Sequence, residues 1–137
     1  MDNDMEFRKW SHIVLFIWGI SICTIIYYSL LPEVKFPVDF WSADKAYHFA
    51  AYGWLALLPV VGFSMRRIAL PAALSMIILG VLLEIGQYFV PGRDCSFWDM
   101  VANGLGVVAG ILVGDCLRSL LKHYGYPLEG KAFMHGK

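Results

Sequence analysis

The chain has 137 residues, 58% of them hydrophobic and only 16% charged, with a formal net charge of zero. Soluble domains carry roughly a quarter charged residues, so this shortfall, with a mean hydropathy of +0.59, points to a membrane protein and away from nucleic acid as a partner. The length suits one compact domain, and the sequence shows no repeat and no second domain.

Residues 1–9, with Arg8 and Lys9, read as a cytoplasmic N-terminus. The run from Trp10 to Leu31 contains no Asp, Glu, Lys or Arg and ends at Pro32. A spanning helix needs about 20 mainly apolar residues. The run is longer than a signal-peptide core and no small-residue cleavage site follows it, so it reads as a retained transmembrane helix. Pro32–Lys45 is a longer connection whose Phe36, Phe40 and Trp41 could lie along the membrane surface. The second span is expected at about Ala46–Met65, with a kink at Pro59. Only Arg66-Arg67 and their neighbours separate it from a third span at about Ile68–Val90, which forces an antiparallel hairpin. Pro71 is tolerated in the first turn of that span. The fourth runs from about Phe97 to Leu121, and its uncharged centre, Met100–Gly114, puts Asp99 and Asp115 near the two interfaces. The tail 122–137 is rich in Gly and charge and is expected to be flexible. The expected fold is therefore all-α and polytopic, a bundle of four transmembrane helices within residues 10–121.

Lys and Arg placement sets orientation. One side would hold Arg8, Lys9, Arg66, Arg67, Arg118, Lys122, Lys131 and Lys137, the other Lys35, Lys45 and Arg93. The excess puts both termini in the cytoplasm, with loops 32–45 and 91–98 external. Cys23, Cys95 and Cys116 form no metal motif and no evident disulfide framework. The redox state of Cys95 stays open.

The polar residues inside these spans carry the functional signal, because ionisable groups at membrane depth need a partner or a role. Asp44, His48 and Tyr52 recur at intervals of four and share one face of the second span. Glu84 and Gln87 share a face near the end of the third, and Asp99 and Asn103 lie one turn apart at the start of the fourth. His48, Glu84 and Asn103 each fall roughly 10 Å inside a helix end, counting 1.5 Å per residue. Three helices thus offer polar groups at one level, suited to a small cavity open to the outside. Glu84 is the hardest to explain as scaffold, being the only charged residue between Ile68 and Val90.

Several of these residues have plainer readings. Ser96-Phe97-Trp98-Asp99 fits a capping box, with Ser96 as N-cap and the Asp99 carboxylate reaching back. Asp44 suits a first turn near Ser42, or pairs with Lys45 or His48. Gln87 and Asn103 could be interhelical glue. Arg93 could pair with Asp94 or Glu84, or hold an anionic ligand through its bidentate fork. Gly106, Gly110 and Gly114 repeat every four residues and allow another helix to approach closely; they are assigned to packing. His12, His123 and His135 read as interface or tail residues. No two histidines stand at metal-ligand spacing, so neither a metal nor a cofactor is expected.

The block Asp44-Lys45-x-x-His48-Phe49-x-x-Tyr52, followed by Glu84-x-x-Gln87, Pro91-x-Arg93-x-x-Ser96-x-x-Asp99-x-x-x-Asn103-x-x-Gly106-x-x-x-Gly110, resembles the VanZ-like family, as does the exit Ser29-Leu30-Leu31-Pro32. The resemblance covers about residues 25–115, and the N-terminus and the tail add nothing to it. It implies a small multi-pass protein of the bacterial cytoplasmic (inner) membrane, in a family whose named member is associated with resistance to the glycopeptide teicoplanin. It supplies no biochemical mechanism, and an antibiotic-resistance role is only implied.

Three readings of function stay open. The first is an outer-leaflet protein that binds a lipid-linked cell-envelope precursor or a lipophilic glycopeptide, with Lys45, Tyr52, Gln87, Arg93, Asp99 and Asn103 as candidate ligand contacts. The second is a membrane-embedded acid–base hydrolase or transferase using Glu84 and His48, with Asp44 orienting the imidazole. The third is a structural or partner-binding membrane protein whose polar groups only lock the bundle. Membrane lipids are expected partners in every case. A homo-oligomer fits the sequence as well as a monomer does.

Overall fold

The structure is a computed structural model and describes residues 2–32, 41–93 and 95–124. Four helices follow in chain order: α1 (Asp2–Ser29), α2 (Trp41–Gly62), α3 (Arg66–Gln87) and α4 (Phe97–His123). The described residues contain no strand. The aromatic connection around Phe36 and Phe40, the acid at Asp94 and the tail from residue 125 lie outside the described residues.

Helix boundaries differ from the sequence expectation in instructive ways. Helix α1 already begins at Asp2, so residues 2–9 are no separate segment, and Phe7 is buried. Arg8 and Lys9 end the apolar run but do not end the helix, since both residues are good helix formers. Helix α2 starts at Trp41, which shortens the connection read as Pro32–Lys45. Helix α3 starts at Arg66, so Pro71 sits in its second turn and not its first. The Arg67 carbonyl that loses its helical donor there belongs to an exposed residue, where solvent can replace the bond.

Three helices contain stretches long and apolar enough to cross a membrane: Met5–Ser29, Arg66–Gln87 and Phe97–His123. Helix α2 does not qualify, because Asp44, Lys45 and His48 fill its first turns. The burial pattern is that of a chain turned outward to lipid. Phe16, Ile78, Leu82 and Leu112 are exposed, whereas Glu84, Asn103 and Arg118 are buried. In water that arrangement would be costly. In hydrocarbon it is required, because polar side chains must find their partners inside the bundle.

The helix that falls short as a span is also the central one. Helix α2 packs on α1, α3 and α4, most intimately on α4. Its Tyr52, Leu55, Ala56 and Val60 form the core with Ala73 and Met76 of α3 and Val107 of α4. The α2–α4 contact depends on glycine. A Cβ on Gly106 would fall on the Phe49 carbonyl oxygen, and one on Gly110 on that of Gly53. Gly114 packs beside Val60, where a Cβ would stand 2.7 Å from Val60 Cγ1.

Polar side chains close the remaining gaps in backbone bonding. Pro59 lies within α2 and cannot donate to the carbonyl of Leu55, four residues earlier. The Trp18 indole of α1 donates to that carbonyl instead, at 2.9 Å. At the α2–α3 turn the buried Arg118 guanidinium donates to the carbonyls of Val60 (2.7 Å), Phe63 (2.6 Å) and Ser64 (2.8 Å). Ser11 of α1 donates to the Gly62 carbonyl at the same end. Arg66 meets Asp115 in an exposed fork at 3.2 and 2.7 Å.

Candidate functional site

The first turns of α2 carry Asp44, Lys45, His48 and Tyr52 toward the ends of α3 and α4 that meet at the 88–96 connection. That connection turns tightly, with Gly92 in the left-handed region at φ 82°. Ser96 then caps α4, its hydroxyl accepting from the Asp99 amide at 3.4 Å. Only this half of the expected capping box forms. The Ser96 amide donates to Glu84 Oε2 at 3.1 Å instead. A carboxylate from another helix thus does the work that Asp99 was expected to do, and Asp99 is left to face α2.

The structure brings His48, Glu84 and Asn103 together. His48 Nδ1 lies 3.0 Å from Asn103 Oδ1 and 3.8 Å from Glu84 Oε1. With Nδ1 protonated, the ring donates to that amide oxygen, which only accepts. The other nitrogen, Nε2, stands 3.8 Å from Asp44 Oδ1 and 4.0 Å from Asp99 Oδ2. Lys45 Nζ lies 3.5 Å from Asp99 Oδ1. Glu84, Asp99 and Asn103 are 1%, 6% and 2% exposed, while half of the Asp44 side chain is open. The cluster therefore sets three carboxylates against one ammonium and one imidazole. Among the described residues, Asp99 Oδ1 and Asn103 Nδ2 have no hydrogen bond.

Beside the cluster lies a cavity of about 370 Å³. One wall is Ile25, Tyr28 and Ser29 of α1, and another is Asp44, Tyr47, His48, Ala51 and Tyr52 of α2. Gln87 and Arg93 complete it. These last two are held by the end of α1. Gln87 Nε2 donates to the Ser29 carbonyl at 3.2 Å. Arg93 donates from Nε to the Leu31 carbonyl at 3.2 Å and from Nη2 to that of Tyr28 at 2.8 Å. Arg93 thus faces the cavity while capping α1. Tyr52 is buried, with its ring against Gly80.

Sequence reasoning missed the contribution of α1. Tyr28 and Ser29 lie in an apolar run with no charge to single them out. The one signal available was the Ser29-Leu30-Leu31-Pro32 exit, whose freed carbonyls require donors at a helix end. It also looked for metal ligands only as paired histidines. The fold sets one histidine between aspartates of two helices, with one ligand atom each from Asp44, His48 and Asp99 within 4.8 Å of one another.

Fold and cluster together define an α-helical multi-pass membrane protein with a buried polar centre. The chain belongs to the VanZ/LLP1 family, whose model matches residues 5–118. The match reaches back through α1, which the motif-level resemblance over 25–115 left largely outside. No curated protein and no solved structure matches the chain.

Proposed function

We propose that the protein binds the anionic head of a lipid-linked cell-envelope molecule from the outer leaflet of the bacterial inner membrane. In this reading α2 is a fourth span, shielded by its neighbours, and both termini are cytoplasmic, as the Lys and Arg distribution favours. The observation that carries the reading is the cavity. Apolar and aromatic walls from α1 and α2 face Arg93, Gln87 and the His48 cluster across one space, which suits an amphiphile with a charged end. At about 370 Å³ the space is near the small end of ligand sites, roughly 300–1,000 Å³. It fits a head group better than an enclosed glycopeptide.

A polyprenyl phosphate titrated into nanodiscs containing the protein tests the idea. Wild type should bind it in preference to phosphatidylglycerol, and Arg93→Ala should weaken binding at least several-fold. Equal affinity of wild type for the two lipids would sink the reading, and unchanged affinity in Arg93→Ala would remove Arg93 from the site. Orientation has its own test. Cys95 is exposed within the 91–98 loop, and a membrane-impermeant maleimide should label it in intact spheroplasts. Labelling only after lysis would invert the topology.

A second reading, acid–base catalysis on a lipid-linked precursor, is favoured by the position of His48 between Asp44, Glu84 and Asp99. Turnover of such a precursor should then vanish in both His48→Ala and Glu84→Gln.

A further inference from the structure

We infer that Asp44, His48 and Asp99 form a binding site for one divalent cation at the edge of the cavity. The spacing around His48 Nε2 is the starting point. Its neighbours Asp44 Oδ1 and Asp99 Oδ2 stand at 3.8 and 4.0 Å, beyond hydrogen-bond range, which ends near 3.2 Å. Two atoms bonded to one ion at about 2.0–2.2 Å each can stand about 4 Å apart across it. The gap is thus too wide for a hydrogen bond, and a metal held by all three atoms would draw them in toward the roughly 3.0–3.5 Å of adjacent ligands. All three ligand atoms lie within 4.8 Å of one another, so small rotations of the half-open Asp44 side chain suffice to close the set.

Two further observations point the same way. His48 is already oriented as metal-binding histidines are. Its Nδ1 stands 3.0 Å from Asn103 Oδ1, and the tautomer with its proton there turns the Nε2 lone pair toward the two aspartates. A second partner of this kind is the usual companion of a ligating imidazole. Second, Asp99 is 6% exposed, and its Oδ1 has no hydrogen bond among the described residues. Lys45 Nζ stands 3.5 Å from that oxygen, which leaves Oδ2 to the ion. In that tautomer three acceptor atoms on two helices converge on one point, where a cation turns all three into ligands.

The ligand set, two carboxylates and one imidazole, suits Mn²⁺ or Zn²⁺ better than a thiolate-loving metal. Asp44 and His48 both line the cavity, so the remaining coordination positions open toward whatever binds there. An ion would also neutralise the local charge, since three carboxylates against Lys45 leave two negative charges, and its open positions could take a phosphate oxygen. The ion site itself stands on side-chain geometry and does not depend on the lipid reading.

Mn²⁺ alone is the probe, added to metal-stripped full-length protein in detergent and followed by electron paramagnetic resonance. Wild type should take up one Mn²⁺ per chain and show nitrogen coupling from an imidazole. Asp44→Asn, at a half-exposed position, and His48→Gln should each weaken uptake at least about tenfold, and the nitrogen coupling should vanish in His48→Gln. Wild type without saturable uptake at millimolar Mn²⁺ overturns the proposal whatever the variants do. So does uptake by Asp44→Asn and His48→Gln equal to wild type. Mn²⁺ uptake without polyprenyl phosphate binding would leave the ion site standing and remove the lipid reading alone.

Discussion

Alanine at Gly110 is expected to strip the bundle of its α2–α4 seam. Its Cβ would fall on the carbonyl oxygen of Gly53, and the obstacle is backbone, so no side chain can rotate away. Over-packing typically costs about 1–3 kcal/mol, and a clash between two helix backbones belongs at the top of that range or above it. Gly104→Ala is the matched control, on the same helix with nothing within 4 Å of the added methyl. Thermal melting in detergent should separate the two, with Gly104→Ala close to wild type and Gly110→Ala far below it. Equal melting of the pair would show that the helices do not approach this closely. The seam also sets the polar cluster. Gly106 meets the carbonyl of Phe49, the neighbour of His48, and Asn103 lies one turn earlier on α4. Close approach at Gly106 is what lets Asn103 reach the imidazole at 3.0 Å.

The second large effect is expected from Arg118→Met. Methionine keeps the apolar stem and removes the fork that holds the carbonyls of Val60, Phe63 and Ser64. Hydrogen bonds to charged donors contribute roughly 1.5–3 kcal/mol each, and buried acceptors left alone cost a further increment, so a loss of about 3 kcal/mol or more is expected. Arg66→Met removes the fork to Asp115 at the same end of the molecule. That pair is exposed and should matter little. A melting temperature lowered by Arg66→Met as much as by Arg118→Met would contradict the assignment of Arg118 as the cap of the α2–α3 turn. In sequence Arg118 is one more of the cationic residues counted toward orientation. Only the fold reveals that it is 4% exposed and spent on main-chain oxygens.

Ion site, cavity and seam are mechanically one unit. Helix α2 supplies Asp44, Lys45 and His48 and is held to α4 by glycine contacts and to α1 by the Trp18 bond to Leu55. Placing α2 at the centre lets the buried Glu84, Asp99 and Asn103 of its neighbours meet His48 inside the bundle, while Asp44 stays half open. Lys45 and His48, with the Tyr, Trp and Pro residues along it, keep α2 out of the helices apolar enough to count as spans.

The sequence by itself determined the helices and the level of the polar groups. Apolar runs fix helix existence because hydrocarbon demands internal backbone bonding. The constant rise per residue fixes depth, so His48, Glu84 and Asn103 could be set at one height before any contact was known. The glycine period on α4 was legible for a similar reason, as a face on which no side chain stands. Tertiary structure alone decided which groups touch. Helix rotation and crossing turn Glu84 toward the Ser96 amide, release Asp99 to face Lys45 and His48, and send Gln87 and Arg93 to the end of α1. A capping box and an inter-helix carboxylate bond compete for the same amide, and local sequence contains only the first competitor. Residues far apart in the chain meet only after the helices have packed, and that meeting is what turned a set of polar residues at one depth into a cluster around one imidazole.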